Sequence, residues 1–155
     1  MFMIWVIYAI VVLTIIILLV KWENFKRLWL AGIIAVVLAV LFDAPLVAGG
    51  LYEFHNQGIG FMGLPVFYLI STFGGGIFIV HFYPWGNIAK GLLFYILASV
   101  IFMAFEALMD LLGVFEHISW SYVNSFFINI AGFIITTYVY ILIKSLIGDK
   151  ESLKF

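Results

Sequence analysis

Apolar residues run along this chain in long blocks broken by short polar clusters, and within the blocks polar residues do not recur at every second position. A hydrocarbon core of about 30 Å takes roughly 20 apolar helical residues to cross. Five windows of that length can be cut, at residues 2–20, 28–49, 61–82, 91–112 and 122–143. A closed barrel, the other way to cross, needs short alternating segments, and stretches such as 10–20 do not alternate. The pattern predicts an all-α protein, a single domain over residues 1–155 built as a bundle of five transmembrane helices. The first window reads as a retained helix and not a signal peptide. No Lys or Arg precedes it, no small-residue cleavage site stands before Lys21, and its apolar run exceeds the roughly 7–15 residues of a signal core.

The basic residues set a direction. Lys21, Lys26 and Arg27 fall in the first link, Lys90 in the third, and Lys144, Lys150 and Lys154 in the tail. All 7 therefore lie on one side of a five-helix threading. The positive-inside rule then places the N-terminus outside and the C-terminus in the cytoplasm. Tryptophan favours the two membrane interfaces. Trp5 and Trp120 fall at the expected outer borders, and Trp22, Trp29 and Trp85 at the inner ones.

Composition narrows the function. The chain is 66% hydrophobic and 10% charged, with a mean hydropathy of +1.26, against about 45–50% and about 25% in soluble domains. Its net charge of −1 offers no basic field for phosphate, which excludes a nucleic-acid partner. With 0 cysteines, disulfides, thiolate catalysis, zinc–thiolate sites and iron–sulfur clusters are also excluded. The expected partners are the lipid bilayer and either a second copy of the chain or a membrane partner subunit, and no cofactor is expected.

The polar residues inside the windows carry the candidate chemistry. A carboxylate in lipid costs several kcal/mol, so such groups face the bundle interior or water. Asp43 and Glu106 each fall about 6 residues inside the outer end of a helix, roughly 9 Å deep at 1.5 Å per residue. Helical phase places Tyr95, Ser99, Glu106 and Asp110 on one face of the fourth span, and Ser125, Asn129, Gly132, Thr136 and Tyr140 on one face of the fifth. Gly32, Ala39 and Asp43 share a face of the second, and the third contributes Tyr68, Ser71 and the run Gly74, Gly75, Gly76 as a thin crossing point. The first span, with almost nothing polar, reads as a peripheral anchor. Asp43, Glu106, Asn129 and Tyr68 thus form one layer, with Asp110 and Ser125 just above it, as the candidate ligand-binding set. Pro45 and Pro65 lie in the same outer half, where each frees a carbonyl and can bend its helix. The same residues also suit a plainer role, since polar side chains hold membrane helices together at about 0.6 kcal/mol each.

Outside the membrane, Glu53 and His55 in the second link and Glu116 and His117 in the fourth are candidate metal ligands by residue type. Their spacing matches no helical metal motif, and solvated loop residues are the alternative. His81, at the inner border of the third span, reads as a snorkelling or locally bonded side chain. The sequence holds no nucleophile elbow, no phosphate-cradling glycine loop, no HExxH and no acid run for pyrophosphate.

Short motifs add a resemblance. They are Lys21-Trp22, Tyr52-Glu53-Phe54-His55, His81-Phe82-Tyr83-Pro84, Glu106, Gly113, Trp120 and Ser125. On these the chain resembles, over residues 21–129, a family of small multi-spanning membrane proteins common in endospore-forming Gram-positive bacteria. It departs from that pattern at Tyr52, Phe54 and Ser119. The resemblance implies a multi-pass protein of a bacterial plasma membrane and singles out Glu106, but it implies no reaction. Three functions fit the residues. The first is an acidic pocket, opening outward, that binds or transports a proton, a cation or a small cationic ligand. The second is a non-catalytic structural subunit of a membrane complex. The third is an enzyme acting on a lipid or isoprenoid with Glu106 as acid or base.

Overall fold

A computed structural model describes residues 3–148. Phe2 at the start of the first window, and Lys150 and Lys154 in the basic tail, lie outside the described residues. The chain is mostly helical. In order it forms α1 (Met3–Val20), the short α2 (Trp22–Arg27), α3 (Trp29–Ala48), β1 (Tyr52–Phe54), β2 (Gly60–Phe61), β3 (Leu64–Pro65), α4 (Val66–Phe82), α5 (Ile88–Leu111), β4 (Phe115–His117) and α6 (Tyr122–Leu146). Among the described residues, α1, α3, α5 and α6 are long and apolar enough to cross a membrane. Their outer faces carry exposed Leu18, Leu41, Leu97, Phe127 and Leu142. Such a surface suits lipid and would be an association hazard in water. The protein is membrane-embedded.

The third window differs from its expected form. Only residues 66–82 are helical, 17 residues and so about 25 Å long. The preceding apolar stretch folds back as a hairpin in which Phe61 pairs with Leu64 across Met62 and Gly63. Both turn residues have positive φ, 52° and 81°. That is the left-handed pair a tight two-residue hairpin requires. Pro65 is extended, with φ −62° and ψ 132°, and stands just before the first helical residue. It therefore starts α4 and does not bend it, whereas Pro45 lies inside α3 as expected.

α4 is the hub of the bundle, and its triple glycine explains how. A methyl group at Gly74 would meet Leu13 and Ile16 of α1, one at Gly75 would meet Phe102 of α5, and one at Gly76 would meet the backbone oxygen of Ala31 and the Cβ of Ala35 on α3. Consecutive helical residues point about 100° apart. Three small residues in one turn thus admit three neighbouring helices. The helix N-termini of α5 and α6 are capped by side chains: Asn87 accepts from the Lys90 amide and Ser121 from the Asn124 amide.

Two apolar clusters fill the ends. One holds Trp5, Tyr52, Phe54, Leu64, Met109, Val114 and Phe115 at the end where the strands lie. The other holds Ile16, Val20, Leu28, Ile77, Val80 and Tyr140 at the end of the basic links. α1 is accordingly more than a peripheral anchor. Trp5 is fully buried, and its indole N–H donates to the His55 carbonyl at 2.9 Å. Trp22 and Trp29 are exposed at the basic end, with the Lys26 ammonium 5.2 Å from the centre of the Trp22 ring. His81 packs edge-on against Phe82, with centroids 4.7 Å apart.

Candidate functional site

The two long polar connections of the sequence close over the ends of the helices as a two-stranded cap. β1 pairs antiparallel with β4 in the register Tyr52–His117, Glu53–Glu116 and Phe54–Phe115. The Ile118 and Ser119 amides extend the pairing by donating to the Leu51 carbonyl. Alternation of side chains along a strand turns Tyr52, Phe54, Phe115 and His117 toward the helices and leaves Glu53 and Glu116 exposed. The sequence carried this signal in Tyr-Glu-Phe and Phe-Glu-His, two short alternating runs.

The same register divides the candidate metal ligands. His55 stands on the outer face, with Nε2 3.0 Å from Glu116 Oε2 and Nδ1 3.7 Å from Glu53 Oε1. His117 is on the opposite face. Among the described residues, no three His, Cys, Asp or Glu side chains form a group able to hold a metal ion. The geometry makes the outer three a polar clasp across the strand pair.

Beneath the cap, each carboxylate is held by its own donors. Tyr52 and Tyr68 donate to Oδ1 and Oδ2 of Asp43, both at 2.6 Å. Burial first, and then the neighbouring Asp43 carboxylate, push the Tyr52 phenol above its ordinary range, which keeps it a proton donor. Ser125 donates to Oε1 of Glu106 at 2.6 Å, and His117 Nε2 lies 2.8 Å from the same oxygen. With Glu106 as a carboxylate, Nε2 carries the hydrogen. Trp120 donates to the Ser125 hydroxyl at 3.0 Å, which aligns it as a donor to Glu106. O–H donors facing carboxylates in this way make short, strong bonds.

Asp43 and Glu106 line one chamber of about 100 Å³, together with Tyr8, Tyr52, Tyr68, Trp120, Ser125 and Asn129. The structure thus brings Asp43, Glu106, Tyr68, Ser125 and Asn129 together around one space, the layer expected from their depth along the helices. Asn129 lines the chamber, and its side chain makes no hydrogen bond among the described residues. Asp110 stands apart from the chamber wall. It accepts from Tyr122 at 2.8 Å and lies 3.9 Å from His117 Nδ1, nearer the surface. Lys21, Lys26, Arg27, Lys90 and Lys144 are at the other end of the helices. Sequence reasoning missed Tyr52, Tyr8 and Trp120 as chamber residues. Tyr8 sits in a span with almost no other polar group, and Tyr52 and Trp120 come from links whose folding over the bundle helical phase does not describe.

This arrangement supplies two acidic acceptors, one free amide and several fixed hydroxyl donors around a small space. It can accept hydrogen bonds from a positively charged group. No protein family, curated protein or solved structure matches this chain.

Proposed function

We propose that the chain crosses a bacterial plasma membrane five times, N-terminus outside, and that the Asp43–Glu106 chamber binds a cationic group from the outer side. Two carboxylates from separate helices lining a single cavity carry this reading. Acidic groups at membrane depth are costly to keep and mark ligand or ion paths. The threading rests on the one-sided distribution of Lys and Arg. It makes α4 the third crossing, and its 17 residues fall at the lower limit of about 17 for a span. The bacterial membrane rests on the family resemblance. A small ammonium ion such as methylammonium suits the chamber, with N–H donors to Asp43, Glu106 and the Asn129 carbonyl.

A second reading has its own support. Both carboxylates already accept two contacts each, as expected of polar groups that only tie helices together. Calorimetry with methylammonium and the protein in nanodiscs separates the two. The cation reading expects Asp43→Asn and Glu106→Gln each to weaken binding by about tenfold or more, the loss of roughly 1.4 kcal/mol, with the fold retained. Wild-type protein that binds methylammonium no better than the double variant overturns it.

The threading has a separate test, made clean by the absence of native cysteine. Ser119→Cys, on the exposed cap, is expected to react with an impermeant thiol reagent on intact cells. Ser152→Cys, outside the described residues, is expected to react only after lysis. The reverse pattern inverts the threading.

A further inference from the structure

Below the chamber lies a larger cleft of about 360 Å³, walled by α1, α3, α4, α5 and α6. It shares Tyr8, Asp43, Tyr68, Phe102, Ile128 and Asn129 with the chamber, so the two spaces adjoin across these side chains. Along α1 the cleft runs from Tyr8 to Leu19, roughly 17 Å at 1.5 Å per residue. Its volume falls within the approximate 300–1,000 Å³ span of small-molecule sites. The wall below Asp43 is apolar, with Val12, Ile16, Leu38, Phe105 and Phe133 projecting from four helices. Two of its hydroxyls are turned away onto their own helix: Ser71 donates to the Phe67 carbonyl and Thr72 to the Tyr68 carbonyl.

A proton or a metal ion would use the acidic chamber and leave this cleft without a purpose. A molecule with a cationic head and an aliphatic tail would use both. We propose that the ligand is a single-chain alkyl ammonium ion, its head between Asp43, Glu106 and Asn129 and its tail in the cleft. The inference rests on the cation-binding reading and extends it by naming the tail. Two carboxylates at the head repel phosphate, which selects against phospholipids. The chamber, at about 100 Å³, also has little room for a bulky headgroup.

Gly132 on α6 supplies the test. It lines the cleft, and a Cβ added there meets nothing within 4 Å. Gly132→Ala therefore adds a methyl group without a clash in the free protein, and Gly132→Leu carries more bulk from the same open position into the tail space. The probes are radiolabelled dodecylamine and propylamine, with the protein in nanodiscs and empty nanodiscs subtracted. Wild type is expected to bind dodecylamine saturably, one per chain, and dodecanol and dodecyl sulfate should not displace it. Gly132→Leu is expected to weaken dodecylamine by about tenfold or more, the smaller end of an overpacking penalty, and Gly132→Ala less. Both should leave propylamine binding unchanged. If propylamine binds and dodecylamine ignores both substitutions, the tail assignment is overturned while the cation site stands. If neither amine binds, both fall. Displacement of dodecylamine by dodecanol or dodecyl sulfate overturns the head assignment. A phospholipid that copurifies with wild type, is lost from Gly132→Leu and blocks dodecylamine overturns the choice of ligand.

Discussion

Leucine in place of Gly76 is expected to leave no folded protein. A Cβ at this position would lie 2.5 Å from the Ala31 backbone oxygen and 2.5 Å from the Ala35 Cβ, so even alanine must push α4 away from α3. The obstacle is partly backbone and cannot rotate aside. Overpacking of this kind costs about 1–3 kcal/mol for small additions, out of a total stability of roughly 5–15 kcal/mol. Gly76→Ala should lose about that amount in reversible unfolding by a denaturing detergent, and Gly76→Leu should give no monodisperse species. Gly132→Ala is the matched control in the same bundle. It meets open space, and its better helix propensity should make it neutral or more stable by up to about 1 kcal/mol. Equal losses at the two glycines would show that α3 and α4 do not pack this closely.

Removing the tyrosine hydroxyls from Asp43 is the second large effect. Tyr52→Phe and Tyr68→Phe each delete a 2.6 Å bond to one carboxylate oxygen and leave the acid in place. Hydrogen bonds to charged groups contribute about 1.5–3 kcal/mol, and an acceptor left without its donor retains the desolvation cost. Each single variant should lose about that much in the same unfolding assay. The double variant should depart from additivity, because both donors serve one carboxylate. Asp43→Asn should restore part of the loss in the Tyr68→Phe background, since a neutral amide needs those donors less. If Asp43→Asn brings no recovery, the hydroxyls act through packing and not through the carboxylate.

Much of the site was legible because helices obey a fixed angular period. Glu106 and Ser125 fall on facing stripes of α5 and α6 at 3.6 residues per turn, and in the structure they share a hydrogen bond. Asp43 and Tyr68 were placed in the same layer by depth alone, and they too are bonded. Asp110 was placed by the same phase but sits outside the chamber wall, because the last turn of α5 lies beside the cap. Phase says which side of a helix a residue faces. It does not say where the lining of a cavity stops.

The hairpin before α4 escaped for a different reason. Phe61, Met62, Leu64 and Pro65 are apolar enough to count toward a span, and a hydropathy window does not weigh the two positive-φ positions that turn the chain back. The roles of Tyr52 and His117 depend on a strand register between segments more than 60 residues apart. A shift of one residue would have put Tyr52 on the face of Glu116 and His117 on the face of Glu53, so that only one of the two could reach the helices.

The sequence by itself determined that this chain lives in a membrane, where its long helices run and which faces of them are polar. Those properties follow from local composition and a local period, since lipid requires every backbone group of a span to be satisfied within its own helix. Only the tertiary structure decided that two loops close over the helix ends, that a tyrosine and a histidine from them reach the two acids, and that an apolar cleft adjoins the acidic chamber. Those features come from contacts between distant segments, where the energy depends on shape and register and not on any one stretch of residues.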